Sequence, residues 1–277
     1  MASRMRLLCP EWQGCKSPKV HAGARWLADV FFKGENHVCI DAPLHEELHW
    51  QNGVIGIASI APRFLQTCRM LSELKPSHLF MIAGTCGTEA APISYLNNLY
   101  AGDLAVVWLD AHADMNSPQT SPSGDFHGMV LRTLLGEGPH ALCSEILRPL
   151  TASQVFLAGT RNFDLAEQEY ITQSQVPIFS DLTSAAVRRL QEAIENAGFR
   201  RVYIHLDVDV LNPLSFSDSL MPTAGGPGLN DISECLESLR KSFDVVGTSI
   251  VEYCGQSEQS RNQLLQLIAG SGNAVSV

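Results

Sequence analysis

The sequence predicts an α/β fold with a mainly parallel central sheet. Three observations point there. Short apolar runs alternate with amphipathic, helix-period segments along the chain. No composition shift or internal repeat marks a linker, so residues 1–277 read as a single domain. Every chemistry-bearing cluster falls just past an apolar run, where ligands bind in open α/β sheets. A closed α/β barrel is the runner-up, but its eightfold repeat cannot be counted here.

Taken in order, residues 5–10 read as a short strand and 11–18 as loop. Residues 22–32 place Ala, Trp, Leu and Val at helical spacing and stop before Gly34. A second short strand covers 38–40. Residues 41–53 are polar, and their His45 and His49 read as solvent-facing loop histidines because no other donor cluster joins them. Residues 60–74 are helical, ended by Lys75-Pro76, and 77–83 form a strand. Gly84-Thr85-Cys86-Gly87 follows, small enough for close backbone approach. A helix over 89–98 accepts Pro92 in its first turn, and 104–109 is a buried strand.

Residues 116–125 make a loop of small polar residues, the natural place to grip a ligand. A helix over 126–135 contains His127. Strands are expected at 154–160, 176–179, 201–206 and 245–251, and helices at 184–197, 229–242 and 261–269. Gly198 ends the first of these helices.

The 45% apolar and 17% charged content excludes a disordered or coiled-coil chain. A net charge of −10 leaves no basic footprint for nucleic acid. No apolar run approaches the roughly 20 residues of a membrane helix, and residues 1–9 carry no secretory pattern. Eight scattered cysteines without Cys-x-x-Cys spacing read as reduced thiols in a cytoplasmic protein, most of them small core residues.

The chemistry concentrates at two strand exits. After 104–109 come Asp110, His112 and Asp114; after 201–206 come Asp207 and Asp209. Side chains two apart in extended chain share a face, so each set converges. Clustered carboxylates repel unless a cation compensates them. Two carboxylates and an imidazole suit Mn²⁺, Fe²⁺, Co²⁺ or Zn²⁺. The five donors suffice for two ions with bridging carboxylates, an arrangement that activates water. A dinucleotide-binding enzyme is disfavoured, because no strand is followed by Gly-x-Gly-x-x-Gly.

These residues resemble the arginase family of ureohydrolases (arginase, agmatinase, formimidoylglutamase) over about 77–252. Asp110-Ala111-His112-Ala113-Asp114 matches the family's Asp-Ala-His-x-Asp. Asp207-Val208-Asp209-Val210-Leu211-Asn212-Pro213 matches its Asp-x-Asp-x-x-Asp-Pro, with Asn212 replacing the outer Asp. Ser123-Gly124-Asp125-Phe126-His127-Gly128 is similar to arginase's Ser-Gly-Asn-Leu-His-Gly. The resemblance implies a three-layer α/β/α fold, a binuclear Mn²⁺ centre and a homo-oligomer, trimer or hexamer.

It further implies that Asp110 and Asp207 bridge both ions, that His112 and Asp209 complete one shell, and that Asp114 serves the other. The implied nucleophile is a bridging water oriented by Asp114, with His127 as proton shuttle and Glu252 holding the substrate guanidinium. Asn116, Ser121, Ser123 and Asp125 match readers of an amino acid's α-groups, and Asp164, with Asn162 nearby, matches those that reach the α-ammonium. Asp125 stands where the family has Asn, and its carboxylate would repel a substrate carboxylate unless neutralised.

The main departure is Cys86, which takes the place of the family's first His ligand, while Thr85 replaces an Asp. The segment resembles a bacterial branch carrying Gly-Gly-Asp-Cys. As a thiolate ligand, Cys86 would shift preference toward Fe²⁺, Co²⁺ or Zn²⁺. As a neutral thiol it would leave the first ion to carboxylates alone. The expected activity is hydrolysis of L-arginine, a small guanidino compound, to L-ornithine and urea. The rivals are hydrolysis of another guanidino or formimino acid, and a metal-poor binding or regulatory subunit.

Overall fold

The computed structural model of the chain describes residues 3–270. The single-domain expectation for 1–277 therefore includes residues 1–2 and 271–277, which lie outside the described residues. β1 (Arg4–Cys9) leads to α1 (Pro18–Phe31), where proline takes the first helical position and loses no needed hydrogen bond. Next come β2 (Val38–Cys39), β3 (Trp50–Gln51), β4 (Val54–Ile55), α2 (Ile57–Leu74) and β5 (His78–Ala83). α3 (Ala90–Leu99), β6 (Ala105–Leu109), α4 (Val130–Leu134), α5 (His140–Cys143) and β7 (Val155–Ala158) follow. The chain continues through α6 (Leu165–Ser174), β8 (Ile178–Phe179), α7 (Ser184–Asn196) and β9 (Arg201–Asp207). α8 (Leu229–Ser242), β10 (Asp244–Val251) and α9 (Glu258–Gly270) complete it.

Eight strands form one sheet in the order β2-β1-β5-β10-β9-β6-β7-β8, and each pairing in it is parallel. The sheet is open, so the α/β expectation holds and the barrel does not. Alternate residues of each strand serve opposite faces. In β6, Val106 and Trp108 join one core, with Phe64 of α2, Ile93 of α3 and Leu131 of α4. Val107 and Leu109 join the other, with Leu27 of α1, Leu190 of α7, Leu236 of α8 and Leu264 of α9. Helices thus cover both faces, giving the three layers the resemblance implied. Burial on both sides explains why the strands read as continuous apolar runs.

Several elements differ from expectation. The polar stretch 41–53 contains β3 and the turn of a β3–β4 hairpin. Asn52 (φ 54°) and Gly53 (φ 83°) form that turn, and both torsions are left-handed, as a tight hairpin requires. His45 and His49 are exposed, in agreement with the loop reading. α6 went unread, because it buries only Glu167 and Ile171 and so shows no apolar stripe. Residues 86–89 and 126–129 form 3₁₀ turns before α3 and α4 instead of continuing those helices. α2 begins three residues early and carries Pro62 inside it, and α9 begins at Glu258.

Candidate metal centre

The four central strands, β5, β10, β9 and β6, deliver their exits to one spot. Leu109 pairs with Leu206, Val251 with Asp207, and Ile250 with Ile82. Asp110, Asp207 and Glu252 therefore leave the sheet at about one level. Cys86 arrives on the turn after β5, and its backbone N–H donates to Glu252 Oε1 at 3.1 Å. Gly84 makes that turn feasible, since a Cβ there would sit 1.9 Å from the Glu11 carbonyl oxygen.

Ligand atoms gather in three groups, each spanning no more than 4.8 Å. Asp110, His112 and Asp209 form one. Cys86, Asp110, Asp114 and His205 form a second, and Cys86, Asp207 and Glu252 a third. Asp110 belongs to two groups, and Asp207 donates no group to the His112 side. His112 Nδ1 lies 3.0 Å from Asp209 Oδ2 and 3.5 Å from Asp110 Oδ1. The Cys86 thiol reaches Asp207 Oδ2 and Glu252 Oε1, each at 3.5 Å. His127 Nδ1 stands 3.2 Å from Glu252 Oε1, so this histidine is paired within the cleft rather than free in solvent.

The donors fit divalent cations. Asp114 Oδ2 and Glu252 Oε2 are buried oxygens with no hydrogen-bond partner. Such oxygens are costly to bury unless a cation or proton meets them. Electrostatics agrees. Burial, reinforced by Asp110, pushes the Asp114 carboxyl well above its usual range, and burial with Asp209 does the same to Asp207. Asp209 rises to about 6 through burial and the nearby Asp110. Burial opposes charge on His112, yet its hydrogen bonds to Asp110 and Asp209 lift it to about 11. His127 reaches about 9 because Glu252 outweighs the burial penalty. Burial and the surrounding carboxylates, Asp114 first, push the Cys86 thiol well up. Cations bound here would compete with the protons that burial favours on Asp114 and Asp207.

Two of the donors sit on strained backbone. Asp114 has φ 51° and Glu252 has φ 60°, left-handed conformations that cost a non-glycine residue of order ~1–3 kcal/mol. At Asp114 the extended-chain spacing is broken: His112 and Asp114 diverge into different groups while Asp110 serves both.

The 116–125 loop walls a cleft of about 130 Å³ that includes Asn116, Ser121, Ser123, Asp164 and Glu167 beside the donors. Asn116 Nδ2 donates to Asp164 Oδ2 at 2.9 Å, and Asp164 caps α6 by accepting from the Glu167 N–H at 3.0 Å. Asp125 is not among the cleft-lining residues; it pairs with Lys16 Nζ at 2.8 Å, which neutralises its carboxylate. Gly124 O accepts from Ile55 N at 2.8 Å, so the β3–β4 hairpin braces the loop.

Sequence reasoning missed His205, Glu89 and Lys16. His205 lay within an apparently apolar strand, yet it alternates with Asp207 and Asp209. That two-residue period was the available signal.

An open parallel sheet whose central strand exits present overlapping clusters of buried carboxylates, imidazoles and a thiol defines a metal-centred α/β protein. The model of the Arginase family matches residues 77–269, and the chain belongs to that family. Arginase from Staphylococcus aureus (strain MRSA252) is 34% identical over 175 residues, 60% of this chain and 55% of that relative. The chain thus spans little more than half the length of that relative. The structure of Entamoeba histolytica arginase in complex with L-ornithine has a TM-score of 0.88 at 23% identity, covering 98% of each chain. Bacillus caldovelox arginase gives 0.84 at 22% identity, again over 98% of each. At these identities the structural likeness establishes the fold.

Proposed function

We propose that this protein is a metal-dependent ureohydrolase that converts L-arginine to L-ornithine and urea. The observation that carries the reading is the overlap of two buried donor groups at Asp110, with the His127–Glu252 pair beside them. In this reading Asp110 would serve both ions, His112 and Asp209 would complete one site, and Asp114 with Cys86 would face the other. The family pattern would have Asp207 shared as well, although here it groups with Cys86 and Glu252 and not with His112. When bound, two divalent ions supply a water of lowered pKa and Lewis-acid polarisation. Mn²⁺ is the family expectation, and a Cys86 thiolate would extend it toward Fe²⁺, Co²⁺ or Zn²⁺.

The chain's own residues do the rest. Glu252 Oε2, buried and unpaired, offers an acceptor for a guanidinium N–H. His127, held beside it, donates a proton from its ring to the departing amine. Asn116, Ser121, Ser123 and Asp164 supply hydrogen-bonding groups for the α-ammonium and α-carboxylate. Lys16, paired with Asp125, removes the repulsion that a bare carboxylate would exert on the substrate's own.

The family resemblance extends the reading to residues 1–277 as one domain and to a cytoplasmic homo-oligomer, trimer or hexamer, without nucleic-acid or membrane partners. No helix among the described residues is long and apolar enough to cross a membrane. The test is urea release from L-arginine by protein loaded separately with Mn²⁺, Co²⁺, Fe²⁺ or Zn²⁺, with metal content measured alongside. Turnover with two ions per chain supports the reading. Two bound ions without urea from arginine would redirect it to other guanidino or formimino acids, and empty sites without urea would favour a binding subunit.

A further inference from the structure

Cys86 leaves the first cation position without the family's imidazole, but the fold brings another one there. His205 lies on β9, directly paired with Trp108 of β6, and the two rings stack at 3.4 Å between centroids and 6° between planes. The His205 side chain is fully buried. Its Nδ1 is 2.7 Å from Glu89 Oε1, and its Nε2 is 3.3 Å from Asp110 Oδ2. A His205 ring nitrogen lies within 4.8 Å of Cys86, Asp110 and Asp114 ligand atoms.

We propose that His205 is a ligand of the first cation site, supplying through Nε2 the nitrogen donor that position 86 lacks, with Glu89 as its orienting carboxylate. This rests on the binuclear reading above.

Three features carry it. A metal-binding histidine commonly donates its other ring N–H to a carboxylate, which fixes the tautomer and raises ligand basicity. The Glu89–His205 contact has that form, with both side chains fully buried. Second, two neighbouring ligands, each about 2.1 Å from one ion, stand about 3–3.4 Å apart, and Nε2 is 3.3 Å from Asp110 Oδ2, an oxygen that also accepts from Trp108 Nε1 at 3.1 Å. Third, Asp114 Oδ2, in the same group, is buried without a partner, which leaves a donor for the ion this nitrogen would meet. The site then has one nitrogen on each side: His112 with Asp209, and His205 with Asp114. Cys86 becomes dispensable for occupancy, and it acts on metal choice instead.

The experiment measures ions per chain and their affinities after Mn²⁺ or Co²⁺ loading, with circular dichroism as a check of folding. Wild-type protein and Cys86→Ala should each hold two ions. Glu89→Gln should weaken one ion by about 10–100-fold. The double variant His205→Ala/Glu89→Gln, which removes the buried carboxylate charge together with its partner, should hold one ion. Two ions at unchanged affinity in that double variant overturn the proposal.

Should the double variant fail to fold, cobalt X-ray absorption of wild-type protein decides. An average of one imidazole per Co²⁺ supports the assignment, and one imidazole per two Co²⁺ overturns it. A single ion per chain, with both His205 ring nitrogens protonated by NMR, also overturns it: the imidazolium would then stand where the cation should. Two bound ions, one of them dependent on His205, without urea from arginine would sink the proposed substrate and leave the ligand assignment intact.

Discussion

His127 Nδ1 and Glu252 Oε1 meet at 3.2 Å, although 125 residues separate them in the chain. One comes from the 3₁₀ turn after the polar loop, the other from the exit of β10. Their contact couples the proposed proton carrier to the acceptor proposed for the guanidinium. His127→Asn should lower kcat by about 10²–10⁴-fold with metal content unchanged. Glu252→Gln should bring the His127 titration down from about 9 toward its ordinary value of 6.5, because Glu252 lifts it more than Asp114 or Asp125 does, against the burial penalty. An NMR titration of the ring reads this directly. A His127 pKa left at about 9 would mean that the pair does not exist in solution.

Asp110 is shared between two donor groups, whereas Asp209 belongs to one. Asp110→Asn should therefore remove both ions, and Asp209→Asn should weaken one and spare the other. Metal analysis after gel filtration separates the two results. Equal losses from the two variants would contradict the shared position of Asp110. Thermal unfolding should follow the same order in the presence of metal, since an ion that binds only the folded state stabilises it.

Without metal, the centre should make the protein less stable as pH rises. The sign follows from the folded-state shifts. Asp209 is raised from 3.8 to about 6, so its contribution is present in acid and lost as pH climbs through about 6. His127, His205 and His112 are raised from 6.5 to about 9, 10 and 11 respectively. Their contributions are whole below 6.5 and disappear in turn above it. Asp110, held low by His112 and His205 against its burial, matters only at the acid end. The Tm of chelator-treated protein should thus be higher at pH 6 than at pH 9. The gain on adding metal should be larger at pH 9, because ligands must lose their protons to bind. A metal-free Tm that rises over this interval would contradict the account.

The same geometry explains how far the sequence could be read. Asp110, His112, Asp114, Asp207 and Asp209 were legible because each breaks an apolar run at its exit, and a parallel sheet sends such exits to one edge. His205 was hidden because it sits before the exit, inside the run, and only its partners across the sheet give it meaning: Trp108 beneath its ring and Glu89 at its edge. Lys16 was equally silent, since nothing local links it to Asp125. The hairpin is a different case. Asn52-Gly53 is a strong turn signal, but two-residue strands with exposed Trp50 and Gln51 carry no apolar alternation to flank it. α6 stayed invisible because it gives the core only Ile171 and part of Tyr170, too little for an apolar stripe.

That hairpin has a functional consequence. Trp50 remains 59% exposed, yet its ring lies over Gly124, where an added Cβ would come within 2.2 Å of it. On the other side of the turn, a Cβ on Gly53 would meet the Pro118 carbonyl oxygen at 2.3 Å. The hairpin therefore clamps both ends of the loop that carries Asn116, Ser121 and Ser123. Trp50→Ala should leave metal content and circular dichroism unchanged, since the residue contributes to neither core. Its cost should fall on substrate binding, as a KM for arginine raised about tenfold, or ~1.4 kcal/mol, at nearly constant kcat. Steady-state kinetics on the metal-loaded variant provides the check. A fall in kcat with unchanged KM would place the hairpin's influence on the reacting groups instead of on the loop proposed to hold the substrate.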